Sequence, residues 1–149
     1  MMVGDRQGAL MELKQEKFAA NMNRIRKELN YQAPQFVLAQ TRTLTKKWAW
    51  YAPKKTGRLR AGFWPIAIAT GMTNIYTSAP NRGEGYATGT NVDNEKATYV
   101  FGNRVPYVSF AGGKGGHGTG WWWRGLYEAN NQMLELLKFH TGKVLDLKL

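Results

Sequence analysis

The sequence predicts an α+β fold, a small antiparallel β-sheet packed against two N-terminal helices and one C-terminal helix, with long Gly-rich loops. Three observations predict it. Apolar residues recur at helical spacing twice before Pro53 and once more near the C-terminus. Between these regions, over residues 63–110, short apolar or alternating runs are separated by Gly, Asn and Pro, the pattern of strands and turns. Helical runs flanking a block of strands give helices laid on one face of a sheet. At 149 residues the chain is expected to form a single domain, 1–149.

The first helix is predicted over residues 10–30. Met11, Phe18, Met22, Ile25 and Leu29 follow at steps of 7, 4, 3 and 4, one helical face, with Lys14, Lys17, Arg24 and Lys27 off it. Pro34 suits the first turn of a second helix, 34–52, where its missing N–H removes no bond. The stripe of that helix is Val37, Thr41, Leu44, Trp48 and Tyr51. Pro53 ends it, because its ring clashes with the preceding turn and forces Ala52 out of the α region. Gly57 then reads as a turn, since glycine tolerates positive φ.

Residues 63–70 are short and apolar and are predicted as a buried strand, with Pro65 confining it to a sheet edge. Residues 71–74 make a turn, and 75–77 begin a returning strand. The segment 78–95 is polar and rich in Gly, Asn and Thr, which predicts a long flexible loop. Residues 98–101 and 107–110 are two further strands. Residues 111–120 have almost no side chains to pack and are predicted as a flexible connector. The last helix, 122–141, carries Trp122, Leu126, Ala129, Met133, Leu137 and His140 on one stripe, with Gly142 as its C-cap. In the C-terminal arm, 143–149, Leu145, Leu147 and Leu149 alternate with Asp146 and Lys148, a strand-like pattern whose backbone needs a partner.

The net charge of +11 is uneven, because residues 1–60 hold 13 Lys/Arg against 4 Asp/Glu. Such a field favours a polyanion or an acidic partner surface. With no cysteine there is no disulfide, thiolate nucleophile or Cys-bound zinc. The longest apolar run, 63–69, is too short to span a bilayer, so no membrane partner is expected. Gly113 to Gly118 formally fit the dinucleotide fingerprint, but no βαβ context surrounds them and Lys114 is followed by Gly115 instead of Ser or Thr, so no cofactor is expected. His117 and His140 are the two imidazoles and lack metal-ligand spacing. Glu128 and Glu135 lie two helical turns apart, and Ser78 and Ser109 sit in no nucleophile elbow. The chain is therefore not expected to be an enzyme.

Among the aromatics, Trp121, Trp122 and Trp123 cannot all face one core, since consecutive helical residues point about 100° apart. Trp121 is therefore expected, with Leu145, Leu147 and Leu149, at contacts between subunits. Trp48 and Tyr51 belong to the stripe of the second helix, which leaves Trp50 outside it.

From Arg42 to Arg60 the chain carries Arg42, Lys46, Lys47, Lys54, Lys55, Arg58 and Arg60 without a carboxylate. Within it, Ala52-Pro53-Lys54-Lys55-Thr56-Gly57-Arg58-Leu59-Arg60-Ala61 resembles the "aP-x-x-TG-x-Lr-x-s" signature of the neck and tail-completion proteins of tailed bacteriophages, the group that includes the minor tail protein Z type. Its motif positions here are Pro53, Thr56, Gly57 and Leu59. A second piece, Asn103-Arg104-Val105-Pro106-Tyr107-Val108, resembles that family's "n-x-(x)-pYa" and comes in the same order, before a Gly-rich loop and a last helix. Where the family continues with Glu-x-Gly, this chain has Val108-Ser109-Phe110-Ala111-Gly112.

The resemblance implies a structural virion protein at the head-tail junction or upper tail, made in the host cytoplasm and assembled as a homo-oligomeric ring. Its implied partners are the adjoining head-completion or connector and tail-terminator proteins, with non-specific contact to phage DNA in the lumen. Lys46, Lys47, Lys54, Lys55, Arg58 and Arg60 are expected to face one of these. The residues alone leave an alternative open, a monomeric basic nucleic-acid-binding module using the 42–60 stretch, although no RNP, zinc-finger or KH signature accompanies it.

Overall fold

A computed structural model of the chain describes residues 3–52, 57–93, 95–105 and 120–149. In chain order these form α1 (Val3–Leu29), α2 (Ala33–Tyr51), α3 (Arg58–Ala61), α4 (Trp64–Ala69), β1 (Gly85–Asp93), β2 (Lys96–Asn103) and α5 (Gly120–Thr141). The class is α+β, as predicted, and the three long helices lie where the apolar stripes put them. The chain divides into two compact units, one made of Met1–Tyr31 with Asn130–Leu149 and the other of Gln32–Ala129.

In the first unit, Phe18, Met22 and Ile25 of α1 and Met133 and Leu137 of α5 are buried, as their stripes require. Two asparagines are buried with them. The Asn21 amide donates to Asn130 Oδ1 at 3.0 Å, and both amides donate to the Leu147 carbonyl, at 2.9 and 2.8 Å. α1 stops at Asn30, whose left-handed φ of 58° is an asparagine alternative to a glycine cap. Gly142, with φ 73°, ends α5 and donates its N–H to the Lys138 carbonyl.

The C-terminal arm differs from its prediction. Residues 142–149 lie in neither helix nor strand. The leucines are half-buried and Asp146 and Lys148 exposed, so the alternation is real. Its backbone partners, however, are side-chain amides and not another strand.

In the second unit, α2 opens with Pro34 in its first turn and buries Ala33, Phe36, Thr41, Leu44, Thr45 and Ala49. Its buried hydroxyls turn back along the helix, Thr41 to the Val37 carbonyl and Thr45 to the Thr41 carbonyl, so neither is left unsatisfied. Val37, Trp48 and Tyr51, predicted to be on the stripe, border it half-buried.

The sheet among the described residues is an antiparallel β1–β2 ribbon, in register from Gly85↔Asn103 to Asn91↔Ala97, with an irregularity between Asn91 and Asp93. Two of its glycines face tyrosines. Gly89 pairs with Tyr99 and Gly102 with Tyr86, and each ring occupies the space a Cβ would take. A ring laid over a cross-strand glycine covers backbone that would otherwise be solvated.

Three strand-and-loop predictions need correction. Residues 75–77 begin no strand, since β1 starts at Gly85. Residues 63–70 are not a strand, because 64–69 form α4. Pro65 is the reason within the sequence, since in a helix's first turn its missing N–H removes no bond. Ile66 and Ala67 are buried and Ile68 is 61% exposed. A short apolar run has no periodicity that separates strand from helix. Likewise 78–95 is not a loop throughout, because β1 occupies 85–93 and cross-strand tyrosines offset its glycine content. The strand predicted at 98–101 lies inside β2, while the one at 107–110 and the connector at 111–119 fall outside the described residues.

Candidate assembly site

The segment with the family-like motif turns at Gly57, whose φ of 75° places it in the left-handed region. A Cβ there would sit 3.2 Å from that of Ala79. The turn as predicted from the sequence is present, and three side chains leave it in different directions. Leu59 is buried, Arg60 is 6% exposed, and Arg58 reaches Glu84.

Arg58 and Glu84 form a forked pair, Nε donating to Oε1 at 2.9 Å and Nη2 to Oε2 at 2.6 Å. The hydrogen bond from Arg58 holds the Glu84 carboxyl below its usual pKa; partial burial opposes this, and the charges of Arg58 and Arg82 reinforce it. The Glu84 carbonyl accepts from the backbone of Arg104 at 2.7 Å. Next along the chain, Asn103 Nδ2 donates to the Leu59 carbonyl at 2.7 Å, and its Oδ1 accepts from the Val105 N–H at 3.0 Å. Gly62 packs so closely on Asn103 that a Cβ would overlap it. Residues 57–61 and 103–105, the described ends of the two segments that carry the sequence resemblance, are thus hydrogen-bonded into one joint, with Glu84 as its third member.

Arg60 is also committed internally. It donates to three carbonyls, those of Trp50 at 2.7 Å, Tyr76 at 2.8 Å and Ala52 at 3.3 Å. Burial lowers the pKa of its guanidinium, which still remains charged. Arg58 and Arg60, expected to face a partner or DNA, thus each hold partners within this unit, with Arg58 also partly exposed. Glu84, 26 residues away, balances the charge of Arg58, while the three carbonyls satisfy the Arg60 guanidinium without cancelling its charge. Arg42 behaves similarly, donating to the Thr70 carbonyl at the end of α4. A planar fork with five donors suits such work better than a lysine does.

The lysines differ. Lys46 is exposed and Lys47 partly so, and neither meets a carboxylate among the described residues. Lys54 and Lys55, with the motif positions Pro53, Thr56, Pro106 and Tyr107, lie outside the described residues. Over the whole second unit the sequence holds 12 Lys/Arg against 4 Asp/Glu, so most of the chain's positive charge belongs there.

The intersubunit expectations are also changed. Trp121 is 8% exposed and stands edge-on to Phe63 at 6.0 Å, so most of its surface is covered within its own unit. Its indole N–H meets no acceptor among the described residues. Trp122 stacks on Trp48, whose Nε1 donates to the Trp122 carbonyl at 2.9 Å, and Trp123 is the least buried of the three. Leu145, Leu147 and Leu149 sit on an arm that Asn21 and Asn130 hold in its own unit, so they are not a free intersubunit strand. His140, placed on the apolar stripe of the last helix, is exposed.

Sequence reasoning missed Glu84, Tyr76 and the buried asparagine pair. Glu84 lay in an apparent loop, and no periodicity marks a left-handed tyrosine. Among the described residues no group of three or more His, Asp or Glu could hold a metal, and no helix is long and apolar enough to cross a membrane. No protein-family model matches the chain, and no curated protein or solved structure matches it.

Proposed function

We propose that the chain is a non-enzymatic structural component of a tailed-phage virion, a neck or tail-completion protein that works as a homo-oligomeric ring between head and tail. One observation carries this reading. The two segments that resemble the family signature, separated by more than 40 residues, meet through Asn103 and Leu59. Short motifs that match by chance have no reason to be neighbours in space. Motifs that define a fold do, and Gly57, the turn residue of the first segment, has a left-handed backbone that glycine adopts without strain. The basic balance of the second unit agrees with a component that sits against DNA or acidic protein surfaces.

The test is genetic. A stop codon early in the reading frame, in the genome that carries it, should leave filled heads and finished tails unjoined in electron micrographs, and a plasmid copy should restore joining. Joined, infective particles made without the chain would refute the assignment. The alternative of a monomeric nucleic-acid-binding module loses two of its contact cations, Arg58 and Arg60, to internal partners.

A further inference from the structure

In the first unit the C-terminal arm lies in a seat that recognises a segment of chain without regard to which molecule supplies it. Gly142, with φ 73°, turns the chain back, and residues 143–149 form no helix or strand of their own. Leu147 returns to Asn130. About 17 Å of helix separates Asn130 from Thr141, and the chain from Gly142 to Leu147 covers about the same distance when extended, so the arm lies stretched along α5. Asn21 and Asn130, 6% and 1% exposed, each donate an amide N–H to the Leu147 carbonyl. Leu145, Leu147 and Leu149 are half-buried beside that bond. Lys143 also pairs with Glu28 of α1, but at 57% exposure for the lysine this contact is screened and adds little.

Such a seat cannot stand empty, because loss of the Leu147 carbonyl strands a donor on each of two buried amides. Its occupant need not be its own arm. Residues 143–149 of any copy present the same carbonyl and the same leucines, and the connection to α5 runs through one residue, Gly142, which has open space around it. We propose that subunits exchange this arm: the seat made by Asn21, Asn130 and Glu28 receives residues 143–149 of a second copy, which contributes the carbonyl that both amides need. The seat's contacts are the same in closed and exchanged forms and cancel, so two other quantities decide between them. One is the effective concentration of the tethered arm, of about millimolar order for a short connection, which favours the closed form in dilute solution and is matched where copies are packed together. The other is the hinge. Closing uses the left-handed backbone at residue 142, whereas an exchanged arm is free to leave α5 in an extended direction. The inference goes beyond the proposed function and stands without it.

The experiment mixes equal amounts of unlabelled and heavy-nitrogen-labelled full chain and joins Lys143 to Glu28 with a zero-length carbodiimide. Mass spectrometry then reads the isotope on each side of that crosslink. A closed arm gives crosslinks within one isotope, and exchange gives mixed ones, whose share should rise with protein concentration toward about half at millimolar chain. Gly142→Val meets no neighbour but strains the closed form, so it should reach the same mixed share at about tenfold lower concentration. Far-UV circular dichroism checks that the variant folds; if it does not, Gly142→Ala provides the same test. Single-isotope crosslinks throughout the range in the parent chain would overturn the inference. So would mixed products spread equally over exposed lysines such as Lys46 and Lys138, which is random collision. Loss of the Glu28–Lys143 crosslink in Gly142→Val without mixed products would overturn it too, by showing that the arm leaves its seat instead of changing owner.

Discussion

Replacing Asn130 by leucine should destabilise the chain by about 2 kcal/mol, since it removes two buried hydrogen bonds worth about 1 kcal/mol each. Asn130 is 1% exposed, donates to the Leu147 carbonyl at 2.8 Å and accepts from Asn21 at 3.0 Å. Leucine keeps the branched skeleton but is the larger side chain, so about 2 kcal/mol is the polar part of the loss and any overpacking adds to it. The Asn21 amide keeps its bond to Leu147, which leaves no donor or acceptor fully orphaned and bounds the cost. For a chain of this size that corresponds to a fall in Tm of roughly 4–8 °C, readable by far-UV circular dichroism. The stronger test is a double-mutant cycle with deletion of residues 143–149. Once the arm is gone, Asn130 has already lost its Leu147 acceptor and keeps the bond from Asn21, so the loss caused by Asn130→Leu should shrink to about 1 kcal/mol. An unchanged melting curve for Asn130→Leu in the full chain, or the same loss with and without the arm, would refute the reasoning and return the arm to the role of a free extension.

Gly57→Val should lose about 1–2 kcal/mol or more, because φ is 75° and the new side chain would crowd Ala79; Gly57→Asn should lose less, and urea titration separates them. Gly125→Ala places a Cβ in the Trp48 indole and should cost about 1–3 kcal/mol through overpacking, read by tryptophan fluorescence, since all six tryptophans lie in the second unit. The pH dependence follows from Glu84, whose folded pKa is lowered by Arg58. Its contribution is present above the unfolded value of about 4.5 and is lost as pH falls through the folded pKa. Glu84→Gln should thus be less stable than the parent near neutrality, with the gap closing as the pH drops below 4.5; a gap independent of pH would contradict this.

The three long helices were legible because each needs a continuous apolar stripe to be buried, and Phe18, Met22 and Ile25 or Leu126, Met133 and Leu137 supply it without interruption. Gly57 was legible because glycine just after a proline-terminated helix has few other uses. What was not legible depends on partners distant in sequence. α4 is too short for a stripe, and only the position of Pro65 hinted at its first turn. β1 has a loop's composition and becomes a strand because Tyr99 and Tyr86 cover the ribbon's glycines from across it. Arg58 looked uncompensated within its own neighbourhood, and Glu84 compensates it from 26 residues away.

That redistribution bears on how such a chain could assemble. Residues that hold Gly57, Leu59, Glu84 and Asn103 together cannot also be the contact that distinguishes one partner from another, since altering them would disturb the fold first. Arginines were used for the internal work, where a rigid fork satisfies several carbonyls or both carboxylate oxygens, and lysines were left at the surface. Lysine is a point charge on a flexible stem, suited to a partner whose carboxylates or phosphates need not be placed in one geometry. The positive charge that survives internal pairing in the second unit includes Lys46 and Lys47 together with the exposed Arg82, Lys96, Arg104 and Arg124. Under the proposed function, changes at Lys46 and Lys47 alter which surface the ring accepts, while changes at Gly57 and Arg60 alter whether there is a subunit to assemble.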